Sequence, residues 1–316
     1  MQEYMQEFLK ILFASGQKGF ELAFFILMPI MVFMMAVMRV LDQKGVLRLV
    51  AIGAAPVLLL FGIPGLGVFA IVQILFVSFA APVSTFRIMD QDEGISDRKI
   101  AAGFAAILCM SQANATLPLA AFGLNLPVAM ATSVIGGLVA AFLTYRFFAR
   151  HLPDSVEKPA ADEIKKSAQQ QNLIQMIMSG GEEGFQLVLK AVPLLVLAVL
   201  LVNVLKAIGA ISFMEVLCGP ALSFFGISAS AVLSVITKYI AGGTAMMGAT
   251  IPMLQEHLMT ATDLNKIAGF TINTLDPVGV AVLVSAGKRF ASFAVPAIKG
   301  ALAGILVRGI LHLVIF

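Results

Sequence analysis

Charge is what this sequence has least of. Asp, Glu, Lys and Arg make up 12% of its 316 residues, about half the share in an ordinary soluble domain. Tryptophan is absent and tyrosine occurs three times, so interfacial anchoring falls to phenylalanine and those few tyrosines. The two cysteines, Cys109 and Cys218, both lie in apolar runs. They offer no disulfide framework. His151, His257 and His312 are scattered without metal-ligand spacing. No phosphate-binding loop, metal motif or nucleophile–base pattern occurs, which argues against an enzyme and implies no cofactor. The net charge of +3 is too small to suggest nucleic acid as a partner.

Apolar length takes the place of charge. The chain is 59% hydrophobic, with a mean hydropathy of +0.97. Several apolar runs exceed the 18 or so residues needed to cross a bilayer core. The expected class is all-α, a polytopic helical membrane protein. The first 18 residues lack the basic start and small-residue cleavage site of a signal peptide. Tyr4, Phe8, Leu9 and Leu12 recur at helical spacing, which predicts an amphipathic helix at the interface.

Ten apolar segments follow: 20–41, 46–63, 66–86, 100–122, 127–148, 185–208, 210–227, 229–251, 267–286 and 290–316. The second and seventh are short and carry Pro56 and Pro220. They are candidates for half-crossings or interfacial helices. The chain also repeats itself. At an offset of 164, Ser15-Gly16 returns as Ser179-Gly180, Pro29 as Pro193, Gly45 as Gly209, Pro56 as Pro220, and Phe61-Gly62-Ile63 as Phe225-Gly226-Ile227. Lys99-Ile100-Ala101 resembles Lys266-Ile267-Ala268. This predicts two related five-segment units, 1–150 and 171–316, joined by a polar cytoplasmic loop over 151–170. Five crossings per unit would invert the second relative to the first. Inverted repeats with broken helices are a recurrent plan of secondary transporters. Basic residues gather in the turns near 39–48, 87–99, 146–166 and 288–289, which puts that side in the cytoplasm.

Polar residues occur at mid-depth in the third and fourth segments of each unit. The eighth carries Lys238, then Gly242, Gly243 and Thr244; the ninth carries Asn273, Thr274 and Asp276 before Pro277. The fourth carries Ser111, Gln112, Asn114, Thr116 and Pro118, and the third Gln73, Ser78 and Pro82. A charge at the centre of a bilayer costs roughly 3 kcal/mol or more. Ser230, Ser234, Lys238, Gly242 and Ala245 are three or four apart and would line one helix face. Such stripes also serve plain helix packing. Lys238 and Asp276 have two readings: a self-neutralising ion pair, or groups that serve a solute or a coupling ion. Lys238 has a third if the limits shift by a turn, namely reaching to the interface.

NATLPLAAFG (114–123) is similar to a motif of spore maturation protein A, and KYIAGGTAMMG (238–248) to a stretch of spore maturation protein B. The chain thus resembles membrane proteins of the nucleoside-recognition, or Gate, domain, which also include the membrane part of ferrous-iron transport protein B. Leu117 between Thr116 and Pro118, Ala241 before the glycines, and Asp276-Pro277 depart from those patterns. The resemblance implies nucleoside recognition. The expectation is a multi-pass transporter of the bacterial inner membrane, for a small polar or anionic solute of nucleoside type, working by alternating access. Lys238, Gly242, Gly243, Thr244, Asn114, Thr116, Gln112, Asn273, Thr274 and Asp276 are its candidate binding residues. H+ or Na+ is the candidate coupling ion, and a homo-oligomer is an open option. The alternatives are a membrane scaffold without transport and a metal-ion permease using Cys109, Met110, Met246 and Met247.

Overall fold

The computed structural model describes residues 2–154, 172–209 and 222–316, with residues 213, 216, 217 and 220 between them. The expected loop over 151–170 lies mostly outside the described residues, Cys218 lies outside them, and the seventh segment at 210–227 is described only in part. Among the described residues there are helices and turns and no strand.

The chain begins with one long helix. α1 (Gln2–Glu21) passes through a π-helical turn (Leu22–Leu27) into α2 (Met28–Gln43). The amphipathic start is therefore continuous with the first span and not a separate interfacial helix. After Gly45, α3 (Val46–Leu60) runs to a turn, and α4 (Gly65–Phe76) leaves that turn bent by 120°. α5 (Pro82–Gln91), α6 (Asp97–Cys109), α7 (Ala113–Ala120) and α8 (Leu126–Leu143) complete the first part. The second part has α9 (Leu173–Ala207), α10 (Ala231–Ala241), α11 (Gly243–Gln255), α12 (Ala261–Thr271), α13 (Pro277–Val284), α14 (Lys288–Ser292) and α15 (Ala294–Ile315). Among the described residues five helices are long and apolar enough to cross a membrane, so this is a multi-pass membrane protein. The stretch Asp97–Ala120 is 94% buried, against 22–39% for the other four. It is the central span, and the others present apolar residues outward.

The third and eighth expected segments do not cross. They are helical hairpins. α4 and α5 fold back about residues 77–81, and the Thr85 hydroxyl donates to Gln73 Oε1 across the fold at 2.8 Å. α10 and α11 fold back at Gly242, where φ is +91°, a region open to glycine and costly for other residues. Thr250 donates to Ser234 across that hairpin at 2.8 Å. Both ends of α4–α5 lie at one end of the molecule. Gly62 abuts the Tyr145 ring, and Arg289 donates to the Met89, Asp92 and Ile95 carbonyls. Both ends of α10–α11 lie together as well. Lys266 donates to the Phe225 and Gly226 carbonyls, and Ser230 to that of Leu258. The stripe Ser230, Ser234, Lys238, Gly242 and Ala245 is thus split between two helices. Its serines tie the hairpin together, the packing reading of such residues.

Residues matched in sequence take matching backbone. Gly45 and Gly209 are left-handed at φ +74° and +73°, Gly62 and Gly226 at +80° and +60°. Ser96 caps α6 and Thr260 caps α12, again 164 apart. α9 packs antiparallel along α1 and α2. A β-carbon on Gly184 would lie 2.6 Å from the Met31 carbonyl oxygen, one on Gly180 2.6 Å from that of Met35, and one on Gly19 2.8 Å from Val196 Cα. Small residues let these backbones approach without side chains between them.

Candidate functional site

The two hairpin tips meet two interrupted helices. α6 and α7 are separated at Met110–Gln112, and α12 and α13 at Ile272–Asp276. Ser111, Asn114 and Pro118 therefore do not share one helix face, because Ser111 lies in the break. Asn273 and Asp276 likewise lie in a break and not on a helix. Pro277 starts α13, where its missing N–H has no partner to lose.

Asp276 is the N-cap of α13. Its Oδ1 accepts the Gly279 N–H at 2.7 Å, and its Oδ2 takes the Lys238 ammonium. Lys238 is 0% exposed and Asp276 6%. The two sequence candidates thus form one buried ion pair joining the α10–α11 hairpin to the α12–α13 break. Burial of two opposite charges is tolerated because each neutralises the other and the capping bond holds the second oxygen. Lys238 does not reach an interface.

A small cavity opens beside this pair. Phe79, Gln112, Gly242, Gly243, Thr244, Asp276 and Gly279 line it. Three helix N-termini meet there, those of α7, α11 and α13, and their dipoles give the cavity a partly positive wall. A second cavity adjoins it through Phe79 and Thr244. Its wall is Leu27, Met31, Leu187, Val188 and Met247, with Asn114 as the polar contact. One side is polar and the other apolar and aromatic, the usual pattern of a small-molecule pocket. The volumes are about 20 and 40 Å³, room for one or a few waters in this conformation.

The structure brings Lys238, Gly242, Gly243, Thr244, Gln112, Asn114 and Asp276 together. Gln112 Nε2 donates to the Asn273 carbonyl at 3.1 Å, and Asn114 Oδ1 accepts the Phe79 N–H at 3.2 Å. The other three candidates serve the frame. Thr116 donates to the Gln112 carbonyl and Thr274 to that of Ile107. Asn273 accepts from Leu275 N and donates to the Phe270 carbonyl.

Two residues were missed by the sequence reading. Phe79 is an ordinary-looking phenylalanine in an apolar run, and only the hairpin fold puts it between the cavities. Arg308 is the other, fully buried on α15. Its guanidinium donates to the Cys109 and Ile272 carbonyls and to Ser111 Oγ. It caps the C-terminal ends of α6 and α12 together, where orphan carbonyls and the helix dipole favour a cation. A lone arginine in the last apolar run was the available signal, by the same cost argument that singled out Lys238.

No protein-family model matches the chain, and no curated protein matches it in sequence. Solved structures do match it in three dimensions. CNTnw, a concentrative nucleoside transporter, in an inward-facing substrate-bound state is 18% identical, with a TM-score of 0.65 over 91% of this chain and 73% of that one. A doubly substituted form in an outward-facing state is 17% identical, with a TM-score of 0.67 over 99% and 83%. A third structure of that transporter, in the state called intermediate 1, is 17% identical, with a TM-score of 0.67 over 90% and 75%. The chain has the fold of the concentrative nucleoside transporter CNTnw.

Proposed function

We propose that this protein transports a small polar solute of the nucleoside class across the bacterial inner membrane by alternating access. The observation that carries the reading is the cavity where two hairpin tips and two helix breaks meet. Its polar side presents N–H groups, Gln112, Asn114, Thr244 and Asp276, suited to hydrogen-bond a sugar or base edge. Its apolar side presents Phe79, Leu27 and Met31, suited to the face of a base. The fold is shared with a nucleoside transporter solved in inward- and outward-facing states, and the Gate-domain resemblance points the same way. Asp276 is the carboxylate on the cavity wall, and of the two candidate coupling ions H+ is the one proposed to act there.

The two-unit plan supports alternating access. One cleft is lined by Met35, Met38, Arg39 and Ser84, another by Val199, Val202, Asn203 and Gly248. Each residue of the first set is related to one of the second by the offset of 164. Residues 14 and 18 of α1 line one cleft, and residues 35–42 of α2 the other. They are separated by about 22 residues, roughly 33 Å at 1.5 Å per residue, enough to cross a bilayer core. The antiparallel packing of α9 on α1 and α2 is the arrangement that inverted units require. Units 1–150 and 171–316 are thus the proposed halves, with the basic end in the cytoplasm.

The test is uptake of radiolabelled uridine and adenosine into proteoliposomes. Lys238→Ala and Asp276→Asn should each lower uptake at least tenfold while the protein stays folded in the membrane. Normal uptake by both would sink the reading. A protein that carries no solute and always copurifies with one partner would favour a scaffold. Of the metal-permease alternative's residues, Cys109 and Met110 are fully buried, Cys109 beside Arg308 and Met110 against Gly137, and only Met247 lines the cavity described above.

A further inference from the structure

We propose that the Lys238 ammonium is the resident counter-cation of Asp276 and takes the place a free sodium ion would need, so that this site works without sodium. The inference rests on the transport reading for its uptake arm only. Asp276 is the one carboxylate on the cavity wall, and it is the natural anchor for a coupling cation. Both its oxygens are engaged. Oδ2 holds the ammonium and Oδ1 accepts the Gly279 N–H. The polar side chains of the same break are already held by the backbone. Thr274 Oγ1 donates to Ile107, and Asn273 Oδ1 accepts from Leu275. Lys238 is wholly buried and belongs to the last turn of α10. Broken helices of transporters offer such C-terminal ends and unwound segments to ions. Here a covalently tethered cation is already present in that region. A free cation at Asp276 would have to displace it within a closed, charge-balanced pair, leaving an extra positive charge buried.

Detergent-purified protein is melted in NaCl, KCl and choline chloride at equal ionic strength. Wild type should melt at the same temperature in all three. Lys238→Met leaves Asp276 without its cation, and its melting temperature should rise by several degrees in NaCl over choline, the signature of ligand binding to the folded state. Lys238→Met combined with Asp276→Asn should lose that preference. A sodium-specific rise in wild type overturns the proposal. So does a folded Lys238→Met variant with no sodium preference, or a preference that survives the double substitution. If Lys238→Met does not fold, the wild-type arm decides alone. Wild-type uridine and adenosine uptake should be equal in Na+ and choline, and a tenfold fall on sodium removal would also overturn it. If neither solute is taken up under any condition, the transport reading fails while the melting arm still judges the ion pair.

Discussion

At the scale of single residues, the buried charges Lys238, Asp276 and Arg308 hold the helix breaks. Lys238 and Asp276 satisfy each other, whereas Arg308 is held by two backbone carbonyls and a serine hydroxyl. Arg308→Met would remove the donors from both carbonyls and leave the ends of α6 and α12 uncapped. Losing hydrogen bonds from a buried charged donor should cost about 3 kcal/mol or more. The expected result is a melting temperature several degrees lower in detergent. Arg308→Lys should recover only part of the loss, because one ammonium cannot present the planar fork that spans both helix ends. A variant that melts like wild type would show that water replaces the guanidinium there.

At the scale of elements, the hairpins and breaks explain why the apolar runs misled on topology. A run of about twenty apolar residues reads the same whether it crosses or folds back, since hydropathy has no term for direction. Residues 66–86 and 229–251 contain the signals of the fold-back, Ser78 with Pro82 and Gly242 with Gly243. Their local chemistry shows a weak point but not the angle taken there. The caps depend on residues only three apart. Thr260 and Asp263 form a capping box at the start of α12: the Thr260 hydroxyl accepts Asp263 N–H, and the carboxylate accepts from Thr260 N–H. Burial opposes ionisation of Asp263, but hydrogen bonds from Thr260 and Ser228 outweigh it and hold its carboxyl below the ordinary 3.8. A folded pKa below the unfolded one contributes stability above that value, and the contribution is lost as pH falls through the folded pKa. Melting temperature should therefore drop as the pH is lowered below 3.8. Asp263→Asn should be less stable at pH 7 and show a shallower drop. Parallel pH curves for the two proteins would show that Asp263 does not carry the effect.

At the scale of the whole molecule, the offset of 164 relates two clefts at opposite ends of the helix formed by α1 and α2. Ser84→Cys and Gly248→Cys place matched thiols at those clefts. In right-side-out and inside-out vesicles, a membrane-impermeant maleimide should label each from one side only, and from opposite sides. Labelling of both from the same face would contradict the inverted plan. The sides should match the basic ends, with Ser84 labelled from the face that carries Arg98 and Arg289.

What the sequence determined by itself is the class, the matched glycines and prolines, and the cluster of costly polar groups. Apolar length and buried charge have a price in a bilayer that does not depend on the fold. That is why Lys238, Asp276, Gln112 and Gly242 could be named from their positions alone. Tertiary structure decided which segments turn back, that Thr116, Asn273 and Thr274 spend their polar groups on the frame, and that Phe79 and Arg308 belong to the centre. Those outcomes depend on which backbone carbonyls and ring faces come within about 3 to 4 Å across some 200 residues of chain. Local pattern holds no record of such distances.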